Sequence, residues 1–137
     1  MHFMTYVKHA YDIVLESEYK LGVNLDHETE AYVVQLVARY IDRPNINKDP
    51  IATKMLSGMQ MPKEQKKSVL KEVADECLLI DGLSLGKNRW PSVRYYQDIG
   101  KIAYSNVAYI TNPPETFFEE LASNFSLIST VIGKIKI

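Results

Sequence analysis

Apolar residues recur every three or four positions along most of this chain, the period of helices buried on one face. Breaks rich in Gly, Pro and Asn fall at 22–24, 43–48, 58–62, 82–91 and 111–114. The first segment, about Phe3 to Tyr19, places Phe3, Tyr6, Val7, Ala10, Ile13 and Val14 on one face. Lys8, His9, Asp12, Glu16 and Lys20 fall on the other, and Gly22-Val23-Asn24 ends it. The second, about His27 to Asp42, takes Asp26 as its N-cap, carries Glu28 and Glu30 in its first turn and stops before Pro44. Its stripe is Val33, Val34, Val37, Tyr40 and Ile41.

Asp49-Pro50 predicts an N-cap followed by proline at the first position of a short helix, which Gly58 should stop. Pro62 opens a fourth helix to about Ile80, with Val69, Leu70, Val73, Cys77 and Ile80 inward. Its second half is apolar on more than one side, so it should be the central helix. Ser92 caps a fifth helix to about Tyr109, with Tyr95, Tyr96, Ile99, Ile102, Ala103 and Val107 facing in. Arg94, Gln97, Asp98, Lys101 and Ser105 face out, and Gly100 and Ala103 allow another helix to approach closely. Asn112-Pro113-Pro114 opens a sixth helix with Phe117, Phe118, Leu121 and Phe125 inward, and Ser126 caps a last one, about Leu127 to Ile135. The Ile- and Val-rich tail makes a strand the lesser reading there. The pattern therefore predicts an all-α fold, one domain spanning residues 1–137, as a bundle or orthogonal array of about six or seven helices.

Bulk properties narrow the function classes without choosing among them. The 137 residues suit one domain, and 46 % hydrophobic with 24 % charged residues is ordinary globular composition. Sixteen basic residues against 17 acidic ones give a net charge of −1, which argues against a general nucleic-acid binder. No stretch approaches the roughly 18 apolar residues of a membrane span. The first 20 residues lack the apolar block of a signal peptide, and the single cysteine, Cys77, permits no intrachain disulfide. Together these lead to the expectation of a cytoplasmic protein that does not engage membranes.

Named catalytic patterns are absent: there is no GxxxxGK[ST], GxGxxG after a strand, GxSxG, HExxH or Cys-x-x-Cys pair. No histidine follows a carboxylate at the Glu-x-x-His spacing of di-iron bundles. His9 sits on a polar face, His27 at a helix start, and Cys77 reads as a small core residue. No cofactor, metal or catalytic residue is assigned.

Four features stand above this background. Glu30 shares a wheel position with Val33, Val34, Val37 and Ile41, so it is either a pocket carboxylate or, as favoured, a first-turn residue bonded to backbone N–H groups or an arginine. The run Gly86 to Arg94 holds Lys87, Arg89, Trp90 and Arg94 before a helix start, an arrangement suited to anions and flat rings; a solvated loop with Trp90 packed on the core is the plainer account. Tyr95, Tyr96 and Tyr104 lie on one helix among nine tyrosines, more simply core than pocket lining. Asp75 and Asp81 lie on the central helix. Asp75 is opposite the main stripe, either solvated, as favoured, or buried and paired with Arg89 or Arg94.

The segments 29–39, 73–82, 95–104 and 117–125, which read TEAYVVQLVAR, VADECLLIDG, YYQDIGKIAY and FFEELASNF, resemble a family of small all-helical bacterial proteins of unknown function. The resemblance implies a helical fold and no activity. Asp81 stands where that pattern would place a small neutral residue.

The leading expectation is a non-enzymatic helical protein that binds a protein partner or associates with itself, since tyrosine and arginine are common at interfaces. The alternative is a binding protein or enzyme for an anionic or aromatic small molecule. Its pocket would lie between the second, fourth and fifth helices, with Glu30, Asp75, Arg89, Trp90, Arg94, Tyr95 and Tyr104 as ligand-binding residues. A third reading, phosphate or nucleic-acid binding through Lys87, Arg89, Trp90 and Arg94, predicts steep salt dependence.

Overall fold

A computed structural model of the chain describes residues 3–46, 50–85 and 93–135. Among these there are seven helices and no strand, so the fold is all-α. The helices are α1 (Phe3–Leu21), α2 (His27–Asp42), α3 (Ile51–Met59), α4 (Lys63–Gly82), α5 (Val93–Ile110), α6 (Thr116–Ser123) and α7 (Phe125–Gly133). The Ile- and Val-containing segment up to Gly133 is therefore helical. The chain divides into two compact units. One comprises residues up to 46 with those from 130 onward, and the other comprises residues 47–129.

In the first unit α1 and α2 pack along each other. The stripe of α1 runs Ala10, Ile13, Val14, Ser17, Glu18, so its last turn buries polar groups that its apolar pattern alone does not reveal. Phe3, expected inward, is exposed at the helix start. Gly22 ends α1 with φ +66°, the left-handed conformation that glycine adopts without steric cost, and Val23 N–H returns to Glu18 O at 3.0 Å. The Asp26 carboxylate caps α2 by accepting from Thr29 N–H at 2.8 Å. Its core face is Val33, Val34, Leu36, Val37 and Ala38; Tyr40 and Ile41 are only half-buried. The Ser17 hydroxyl donates to Val131 O and ties α1 to the end of α7.

The second unit is built around α4, which packs against α3 and α5, while α5 packs against α6. Every residue from Val73 to Leu79 is buried, as expected of the central helix, although Ile80 is half-exposed. Gly58 lies inside α3 and does not stop it. A Cβ there would come 2.7 Å from Val69 Cγ1, so glycine is what lets α3 approach α4. Pro50 occupies the N-cap of α3, not its first helical position, and the proposed cap Asp49 lies outside the described residues. Gly100 makes a second close approach, where an added Cβ would lie 2.5 Å from Phe125 Cε2 and 3.0 Å from Cys77 Cβ. Two helix–helix crossings thus depend on a missing methyl group. Phe125 belongs to α7 and is fully buried. The face of α5 is rotated from the expected one: Ala103, Tyr104, Val107 and Ala108 are buried and Ile102 is exposed. The rotation reflects two partners, since α4 and α6 together cover an arc that one apolar stripe does not fill.

Candidate functional site

The polar groups expected to converge are distributed over both units. Glu30 belongs to the first; Asp75, Arg94, Tyr95 and Tyr104 belong to the second. Arg89 and Trp90, with Lys87, lie outside the described residues, as does the predicted cap Ser92.

Asp75 and Tyr104 are brought together. The Tyr104 hydroxyl donates to Asp75 Oδ1 at 2.7 Å, with both residues buried, and Lys71 Nζ stands 3.8 Å from Oδ2. The solvated reading of Asp75 is thus corrected. The helix side opposite the main stripe is covered too, and a buried carboxylate requires donors. The arginine expected for it is elsewhere. Arg94 is 86 % exposed and lies 3.9 Å from Asp98 on its own helix, a spacing worth little in water. Tyr104 also contacts the rings of Phe118 (6.4 Å) and Phe125 (6.1 Å), so it is a core residue with a satisfied hydroxyl. Tyr95 is half-buried and meets Tyr96 edge-on at 5.3 Å.

Two further acids on α4 are buried. Asp81 accepts from the Ser129 hydroxyl at 2.6 Å and from the Gln97 amide at 3.1 Å. Gln97, expected to face out, turns to this carboxylate. Glu76 is held by Lys54 Nζ at 2.8 Å, which also pairs with Glu72 at 2.9 Å. Burial pushes the Glu76 carboxyl above the usual range, Lys54 opposes this, and the nearby charge of Glu72 adds to it. Burial also pushes the Cys77 thiol well up, reinforced by Glu76 and Asp81, so this cysteine is no thiolate nucleophile. These acids lie on different sides of α4, each with its own partners. Among the described residues no three His, Cys, Asp or Glu side chains are grouped to hold a metal ion.

In the first unit Glu30 meets another carboxyl. Glu18, 4 % exposed, bonds the Leu25 N–H through Oε2 at 3.1 Å and shares a hydrogen bond with Glu30. Burial, then the bond to Glu30, raises its pKa to about 7; the Leu25 N–H opposes the shift and the charge of Glu30 adds to it. Glu30 therefore has a second carboxyl, Glu18, as a partner. Glu18 follows Val14 by four residues, so the wheel argument that singles out Glu30 would have found it.

The outer face of α1 is the remaining feature. Met4, Tyr11, Leu15 and Tyr19 are 72 %, 46 %, 37 % and 88 % exposed. At 3.6 residues per turn they fall within an arc of about 80° over about 22 Å of helix. Lys8 lies within the arc, and Asp12 and Glu16 form its border. The outward apolar pairs on other helices, Leu56 with Met59 and Ile102 with Tyr109, are shorter. No described helix is long and apolar enough to cross a membrane. Comparison with family models, curated proteins and solved structures finds no match to this chain.

Proposed function

We propose that the chain works by self-association and not by catalysis, with the outer face of α1 as its contact surface and a second copy as its partner. The observation that carries this reading is the row Met4, Tyr11, Leu15 and Tyr19, apolar and exposed along about four turns of one helix. An internal role explains the buried acids, which bridge helices. No such role explains an outward row with Tyr19 88 % exposed. A face that pairs with itself must be complementary to itself. This one carries Lys8 toward one end, Glu16 toward the other and Asp12 near the middle.

The contact is of modest size. One helix face covers on the order of 400–500 Å² per copy, below a standard interface, so the association is expected to be weak. Light scattering over a concentration series tests the reading. The mass should rise with concentration, and Leu15→Glu with Tyr19→Ser should hold it at the monomer value without changing helix content. Equal rises in both proteins would end the proposal.

A further inference from the structure

Resting on the self-association reading, we infer that the two α1 helices pair antiparallel about a two-fold axis near Tyr11, with Lys8 of each copy beside Glu16 of the other. Charge order along the helix decides between the two possible directions. A parallel pair would set Lys8 against Lys8, Asp12 against Asp12 and Glu16 against Glu16, three like-charge contacts. Reversing one helix replaces the Lys8–Lys8 and Glu16–Glu16 contacts with Lys8 facing the acidic half of its partner, twice over by symmetry, and leaves one like-charge contact, Asp12 with its copy near the axis.

The apolar row selects the register. With the axis near Tyr11, Met4 lies against Tyr19 of the second copy, and the Lys8 stem runs over Leu15 of the second copy. All four exposed apolar residues are then used, and the Lys8 ammonium reaches Glu16. Glu16 already holds Lys20 at 2.9 Å on its own helix, so the incoming lysine completes a three-membered ion cluster at each end. Asp12 lies close to the axis, near its own symmetry copy, with Lys8 of its own helix one turn away and Lys8 of the second copy across the seam. Opposed helix dipoles favour the same direction. The other border of the row is closed, because Val7 is half-buried and Glu18 is buried within the protein. A two-fold pair closes on itself and gives a dimer, not a filament.

Cysteine cross-linking tests the direction. The native Cys77 is buried and does not interfere. The exposed positions 4, 11 and 19 accept substitution without disturbing the core. Under mild oxidation the Tyr11→Cys protein should form a disulfide dimer. Met4→Cys alone and Tyr19→Cys alone should not, because each pair of equivalent sites is about 22 Å apart. A mixture of the Met4→Cys and Tyr19→Cys proteins should cross-link to the heterodimer. Lys8→Glu should weaken dimerisation about three- to tenfold, and adding Glu16→Lys should recover most of the loss.

If Met4→Cys alone cross-links as fast as the mixture, the antiparallel arrangement is wrong while the self-association reading stands. Failure of Glu16→Lys to rescue Lys8→Glu, in proteins of unchanged helix content, likewise overturns the ion pairing. If the wild-type protein stays monomeric throughout, the self-association reading falls and this inference falls with it.

Discussion

Replacing Glu18 with Gln tests the account of the Glu18–Glu30 contact between α1 and α2. In the native protein a carboxyl with an ordinary value near 4.5 is held at about 7. The folded state therefore binds this proton more tightly than the unfolded chain does. Its stabilising effect is complete below pH 4.5, declines as pH rises, and is gone above about pH 7. At 1.36 kcal/mol per pH unit the full span is about 3 kcal/mol. Relaxation around the carboxyl lowers the expected effect to about 1–2 kcal/mol. Gln keeps the geometry: its oxygen still accepts from Leu25 N–H and its amide donates to Glu30, but it does not titrate. Urea unfolding, followed by far-UV circular dichroism at pH 5 and pH 8, supplies the measurement. Between these pH values the wild type should lose about 1–2 kcal/mol more than Glu18→Gln, and the variant should be the more stable of the two at pH 8. Groups common to both proteins cancel in the comparison. Equal losses would refute the reasoning.

Two more substitutions probe the second unit. Tyr104→Phe removes the donor to buried Asp75 and should cost about 1–3 kcal/mol by the same unfolding assay, a loss that Asp75→Asn in the same chain should reduce. Gly100→Ala gains up to about 1 kcal/mol of helix propensity yet should destabilise by about 1–3 kcal/mol, because its Cβ would strike Phe125. A stabilised Gly100→Ala protein would show that α5 and α7 are less closely packed than described.

The four long helices were legible because each writes its period into 16 or more consecutive residues. The fourth helix stood out as central because Cys77-Leu78-Leu79-Ile80 is apolar on more than one side, and the buried run Val73–Leu79 agrees. Gly58 was misread because a glycine that ends a helix and one that admits a neighbouring helix look alike without the neighbour. Ile102 and Gln97 were misassigned because one wheel presumes one partner, and α5 has two.

The candidate site was legible only in its members. Glu30, Asp75 and Tyr104 were all singled out, but their partners Glu18 and Lys71 were not. Which hydroxyl meets which acid is settled by packing between residues far apart in sequence, as with Tyr104 and Asp75. The outer row of α1 was hidden for another reason: Lys8, His9, Asp12, Glu16 and Lys20 mark that side as polar, and only exposure shows that apolar residues run among them.

Sedimentation velocity on the unmodified protein across a dilution series, from several hundred micromolar to below one micromolar, tests self-association through α1 most directly. The account predicts a concentration-dependent shift from the 15.7 kDa monomer toward a species of twice that mass, absent in Leu15→Glu. A single 15.7 kDa species at every concentration would contradict it.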